Sequence, residues 1–213
     1  MNIGDLLHRL SLDPADDVLL VKLNSELKRR GLMVKQLDPL ESSKRFLKNY
    51  LRPCELNDLI RMDDLSLNRC EITDITALTP LVQLKLLSLQ QNKITDISAL
   101  NSLVQLKHLY LNINKITDIS ALNSLVQLNS LDLQENKITD ISALRTLYNL
   151  ESLNLNGNSV TDISPLYRLN NLKRLYIINN PGLSLAQIQA FADIAPRCDI
   201  RHTYRNYGCG CGW

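Results

Sequence analysis

Two columns of residues that could do chemistry recur along the chain at one fixed interval. Asp74, Asp96, Asp118, Asp140 and Asp162, each preceded by a threonine, stand 22 residues apart. Five carboxylates in register could form a ladder for cations. Aspartate also bonds the backbone of its own turn or of a helix start just beyond it. A turn repeated five times needs five of them, and this is the reading taken, with no metal expected. The second column is Asn92, Asn114, Asn136, Asn158 and Asn180, at the same interval. An amide carries donors and acceptors together. Buried between successive turns, it can satisfy backbone groups of its own turn and the next, so the column is expected to be a structural ladder. Cys70 holds the same register one unit earlier and is expected as a buried structural thiol.

The remaining chemical candidates are sparse. Cys209-Gly-Cys211, with His202 and Cys198 upstream, could bind a soft metal or act in thiol chemistry. A structural zinc site wants four ligands, and Cys198 is the one obvious addition. A flexible tail is the preferred reading, and a metal- or thiol-responsive regulator built on Cys198, Cys209 and Cys211 stands as an alternative. The histidines, at 8, 108 and 202, are far apart. No nucleophile elbow, phosphate-cradling loop, HExxH or CxxC occurs. The expectation is no enzyme, no cofactor and no resident metal.

The elements that position these columns come from the same repeat. The string ITDISALNSLVQL occurs at 94–106 and again at 116–128. Leu84, Leu106, Leu128, Leu150 and Leu172 open successive units, and Met62 opens an earlier one. The unit reads L-x-x-L-x-L-x-x-N-x-I-T-D-I-x-x-L-x-x-L-x-x. Alternation at L-x-L predicts a short strand whose leucines point inward. The inward pairs are Leu65/Leu67, Leu87/Leu89, Leu109/Leu111, Leu131/Leu133, Leu153/Leu155 and Leu175/Ile177. The isoleucines at 72/75, 94/97, 116/119 and 138/141, with Val160/Ile163, line a compact return. With further leucines that makes about seven aliphatic side chains per coil, each worth roughly 1.5–3 kcal/mol when fully buried, before entropy is subtracted. One coil cannot stand alone, but a stack can. The fold expected is an α/β solenoid with a parallel sheet on its concave face.

The ends should differ from the middle. Residues 1–58 lack the repeat and are read as an N-terminal helical cap, with helices suggested after Asp13-Pro14 and from about Leu40 to Leu51. Residues 59–180 are the solenoid, of about six units. Pro181-Gly182 breaks the pattern, and Ser184 should cap a helix through Ile188 and Phe191 that ends before Pro196. Residues 181–200 are thus a C-terminal cap, with a last strand near Cys198–Ile200, and 201–213 a flexible Gly/Cys tail.

Positions that vary between equivalent units can encode recognition. The outward residue between the two strand leucines runs Ser66, Ser88, Tyr110, Asp132, Asn154, Tyr176. The residue before the pair runs Asp64, Leu86, His108, Ser130, Ser152, Arg174. The two after it run Asn68, Gln90, Asn112, Gln134, Asn156, Ile178 and Arg69, Gln91, Ile113, Glu135, Gly157, Asn179. From these, Tyr110, Asp132, Tyr176, His108, Arg174, Gln134, Glu135 and Asn154 are the candidate partner-binding residues. Tyr110 and Tyr176 are the expected anchors, since Tyr and Arg are enriched at binding hot spots.

Charge narrows the partner. The whole chain has 24 Lys plus Arg against 22 Asp plus Glu, and residues 62–180 hold ten basic and eleven acidic residues. No basic stripe marks a nucleic-acid binder. No run approaches the ~18 apolar residues of a membrane span. The N-terminus has no signal-peptide pattern, and five cysteines form no disulfide framework. A cytoplasmic monomer is expected, with secretion by a route independent of a signal peptide left open.

The unit L-x-x-L-x-L-x-x-N-x-I-T-D-I-x-x-L resembles the short 22-residue class of leucine-rich repeats. Repeats of bacterial internalins and of a eukaryotic protein phosphatase regulatory subunit look similar. The resemblance covers residues 62–180. It implies a horseshoe segment that binds another protein through its concave face. The leading expectation is therefore a non-catalytic interaction module or scaffold. The targeting part of a secreted bacterial effector is a further alternative.

Overall fold

The computed structural model describes residues 63–79 and 81–203. The expected N-terminal cap, the opening Met62 and the Cys209-Gly-Cys211 pair lie outside the described residues.

Seven short parallel strands pair in strict chain order. They are β1 Asp64–Ser66, β2 Leu86–Ser88, β3 His108–Tyr110, β4 Ser130–Asp132, β5 Ser152–Asn154, β6 Arg174–Tyr176 and β7 Asp199–Arg201. From β1 to β6 each residue pairs with the one 22 positions on, as Tyr110 does with Asp132. The step from β6 to β7 is longer, with Tyr176 opposite Arg201, because a helix has been inserted. The ladder runs past the strands. Leu89 N–H donates to Tyr110 O and Leu111 N–H to Asp132 O, each at 2.8 Å, and on the return side Lys115 N–H donates to Ile94 O at 2.9 Å.

Each return is a single 3₁₀ turn: Thr76–Leu78, Ser98–Ser102, Ser120–Ser124, Ser142–Thr146 and Ser164–Arg168. Such a turn is bulkier than a strand, so the sheet takes the inner, concave side of the solenoid. The aspartate column starts these turns. Asp96, Asp118 and Asp162 accept the N–H of the serine two residues on at 2.8 Å, and Asp140 does so at 2.7 Å. That bond holds the Asp96 and Asp162 carboxyls below their usual range. Each carboxylate thus serves its own turn. Among the described residues no group of three or more His, Cys, Asp or Glu is placed to hold a metal ion.

The core is a stack of equivalent layers. Leu84, Leu87, Leu89, Ile94, Ile97, Leu100 and Leu103 make one of them, and every inward pair read from the sequence is buried. The stack ends at helix α1, Leu185–Ile194, which lays Ile188 and Phe191 onto the last coil. Ser184 starts it with a reciprocal capping box: the Gln187 N–H reaches Ser184 Oγ, and the Ser184 N–H reaches Gln187 Oε1.

Between strand and return lies the asparagine column, each member buried. Asn114 Oδ1 accepts the Ile94 N–H at 3.0 Å, while its Nδ2 donates to Leu89 O of the preceding coil at 3.0 Å and to Leu111 O of its own at 2.9 Å. Asn136, Asn158 and Asn180 repeat the pattern. Asn92 accepts two N–H groups, from Cys70 and from Ile72, both at 3.0 Å. Cys70 itself is half-buried rather than buried. Its thiol donates to Asn68 O at 3.2 Å.

Candidate protein-binding face

The strand face presents three rows. The central one runs Ser66, Ser88, Tyr110, Asp132, Asn154, Tyr176 and Arg201, as the register of the sheet dictates. Six inter-strand steps of about 4.8 Å give a face roughly 29 Å long. From Ser66 to Tyr176 every position in this row stands between leucines or isoleucines locked in the core, so its Cα has little freedom. Tyr110, Asp132, Asn154 and Tyr176 are half-buried. In the row before it His108 is half-buried and Arg174 exposed. Gln134 follows Asp132 in the same coil, and Glu135 sits exposed at the rim.

Not every outward position is available. Ser88 is 5% exposed. Its Oγ donates to Asn68 Oδ1 at 2.8 Å and accepts from Gln90 Nε2 at 3.0 Å. Longer side chains on either side close over it, which the pattern of small and large residues along the column hints at.

The last two columns hold what the sequence reading passed over. Arg69, Gln91, Ile113, Glu135 and Asn179 all have φ between +53° and +58°, and Gly157 has +66°. The chain turns off the strand through the left-handed region in every coil. A glycine and an asparagine in the column are the only sequence signal of this. Ile113 is the costly member, since a β-branched residue resists this conformation, and it is also exposed. Over Gly157 lies the Glu135 carboxylate, so close that a Cβ there would meet Oε1 at 2.7 Å.

One column earlier, the N–H of each coil is shared out differently along the stack. Asn68 Oδ1 accepts the Gln90 N–H of the next coil at 2.8 Å, and Asn156 Oδ1 accepts that of Ile178 at 2.7 Å. At Gln134 the N–H goes instead to Asp132 Oδ1 of its own coil, at 3.0 Å. Asn112 Oδ1 is left buried with no hydrogen-bond partner. Burial pushes the Asp132 carboxyl above its usual range, against the pull of the Gln134 N–H and the Asn154 amide.

Among the described residues three ion pairs join neighbouring coils. Lys85 meets Asp63 at 2.7 Å, Lys93 meets Glu71 at 3.0 Å and Lys173 meets Glu151 at 2.8 Å. These pairs are exposed and screened by solvent, so they contribute little to stability. A row of apolar side chains, Val82, Val104, Val126 and Tyr148, stays exposed on the turns leading into the strands. Cys198 is half-buried beside α1, and burial, helped by Asp199, pushes its thiol up to about 11.

The family model for leucine-rich repeats, in its two-copy form, matches residues 82–124, 104–146 and 148–192, together more than half of the chain. The chain belongs to the leucine-rich repeat family. This leucine-rich repeat protein is similar to an internalin of Listeria monocytogenes, with 33% identity and a TM-score of 0.63 over 73% of this chain and 47% of that one. A leucine-rich repeat protein of Leptospira interrogans matches with 28% identity and a TM-score of 0.63, over 70% and 39% of the two chains. Internalin C2 of Listeria monocytogenes matches with 25% identity and a TM-score of 0.50, over 69% and 83%. The chain spans less than half the length of the first two. A search of curated protein sequences returns no match. Domains of this fold are interaction modules, and the resemblance expected from the repeat unit holds.

Proposed function

We propose that this leucine-rich repeat protein is a non-catalytic module that holds a partner protein on its concave strand face. The observation that carries the proposal is the contrast within each coil. The leucines, isoleucines, asparagines and aspartates that build the fold scarcely change, while the residues displayed between them do. Tyr110, Asp132, Asn154 and Tyr176 form the centre, His108, Arg174, Gln134 and Glu135 its surround. The rigid backbone beneath them lowers the ordering cost of binding. Two half-buried tyrosines on either side of Asp132 and Asn154 have the composition of a hot spot.

The alternative built on the cysteines has little support. Cys198 stands half-buried beside α1, where burial pushes its thiol up to about 11 and disfavours the thiolate that thiol chemistry needs.

The test is capture of partners on immobilised protein, compared between wild type and Tyr110→Ala/Tyr176→Ala. The double variant should keep the fold, since neither ring is in the core, and should weaken a concave-face partner by on the order of 2 kcal/mol or more. The opposing control is Thr117→Ala/Thr139→Ala on the return side. A partner whose affinity ignores the tyrosines but falls with the threonines would move the site off the strand face.

A further inference from the structure

Resting on that reading of the strand face, we propose that Asp132, with Tyr110 on the adjacent strand, is the receptor for a lysine or arginine side chain of the partner protein.

The argument starts from a comparison of neighbouring coils. Asn154 occupies the place of Asp132 one coil on. It solves the local bonding completely: its Oδ1 accepts the Asn156 N–H at 3.1 Å, and its Nδ2 donates to Gln134 Oε1 of the preceding coil at 3.1 Å. Asp132 copies the first half, taking the Gln134 N–H at 3.0 Å. An ionised carboxylate has no hydrogen to supply the second half. The preceding coil's Asn112 therefore keeps a buried acceptor without a donor. An asparagine at 132 would satisfy it, so the fold by itself favours the amide. The carboxylate is present against that preference, in the middle of the face.

The spot thus holds two acceptors competing for the Gln134 N–H, and the Asn154 amide that also reaches the carboxylate is shared with Gln134 Oε1. What it is short of is a further donor, and a charged one is favoured because Asp132 is the only ionic side chain of the central row between Ser66 and Tyr176. A basic side chain fits both halves of the site. Its head group donates to the carboxylate, and its stem can lie along the Tyr110 ring. Drawing the carboxylate toward an incoming cation releases the Gln134 N–H. That N–H then returns to Asn112 Oδ1, restoring the pairing seen for Asn68 with Gln90 and Asn156 with Ile178. Binding and the relief of the orphaned acceptor are one event. Such a bond between a partly buried carboxylate and a cation is of the stronger, charge-assisted kind.

The experiment needs no identified partner. The full chain, labelled with ¹⁵N, is titrated with N-acetyl-arginine methylamide, N-acetyl-lysine methylamide and, as the neutral control, N-acetyl-norleucine methylamide. The expected result is a saturable shift of the Gln134 backbone amide and the Asn112 side-chain amide with the two cations and none with norleucine. Asp132→Asn should weaken that response at least tenfold while raising the urea midpoint of unfolding. An equal response to norleucine, an undiminished response in Asp132→Asn, or no saturable response at all would overturn the proposal. So would an Asp132→Asn variant that loses both the response and stability, because the aspartate would then be serving the fold. The wider reading fails separately, through the tyrosine variants: a partner lost on Tyr110→Ala/Tyr176→Ala but indifferent to Asp132→Asn keeps the face and removes the basic receptor.

Discussion

Replacing Asn114 by alanine isolates what one rung of the amide ladder contributes. Three bonds disappear, but they are not equivalent. Leu89 O loses Asn114 Nδ2 yet keeps Asn92 Nδ2 at 2.9 Å, and Leu111 O keeps Asn136 Nδ2 at 3.0 Å. Each carbonyl between two rungs is served from both sides, so both stay satisfied. The Ile94 N–H has only Asn114 Oδ1, and it becomes a buried orphan. One such group costs about 1–3 kcal/mol, and two net bonds lost without an orphan add roughly 0.5–1.5 kcal/mol each. The expected loss is about 2–4 kcal/mol after partial relaxation. Asn92→Ala should cost more than Asn114→Ala. It strands the Ile72 N–H, takes the Oδ1 acceptor away from the Cys70 N–H as well, and deprives Leu67 O of its amide donor. Urea denaturation followed by circular dichroism gives both values. If Asn114→Ala unfolds at the wild-type midpoint, or if the order of the two variants is reversed, the bonding account of the ladder is wrong.

Two further outcomes are expected. Ser184→Ala removes the side-chain half of the capping box of α1 and should cost about 0.5–2 kcal/mol, read by thermal unfolding. Equal stability would mean that α1 is held by Ile188 and Phe191 alone. Ile113→Asn keeps the left-handed turn but removes the β-branch that resists it, and should stabilise the fold by about 1 kcal/mol; a lower melting temperature would show that the exposed isoleucine packs favourably where it is.

The repeat made the core and strand register legible before any coordinates. The leucine pairs, the isoleucines of the return and the amide column all obey one period, and each burial position follows from it. The last strand was also foreshadowed, since Cys198-Asp199-Ile200 carries an apolar residue where β6 needs a neighbour. What period cannot reveal is how unlike side chains on adjacent coils divide the same donors. Ser88 is outward by alternation, yet Asn68 and Gln90 bury it. Asn112 and Asn156 occupy equivalent positions, yet only one finds an N–H, because Asp132 intercepts the other. The left-handed column was hidden for a similar reason. Its tolerance of Arg, Gln, Ile and Glu conceals a backbone requirement that glycine meets openly at one coil alone. The exposed valines were hidden by their regularity, since a repeated residue reads as structural until its surface is seen.

The near-identity of coils has a consequence for how the chain reaches this state. Nearly every inter-coil bond joins residues 20 to 25 apart, and along the amide column the partners in one coil are nearly the same residue types as in the next. A chain that stacks coil two directly on coil four, looping out the 22 residues between, would re-form each amide and backbone bond with the wrong copy. It would forfeit the burial of one aliphatic layer and the modest closure entropy of a short loop. Such mispairings lie above the native stack by that layer, yet each is locally complete, so they act as kinetic traps on the folding landscape. The residues that tell the copies apart are those that vary: Tyr110 against Ser88, Asp132 against Asn154, Ile113 against Gln91. The side chains displayed for a partner are also the address labels by which the coils find their order.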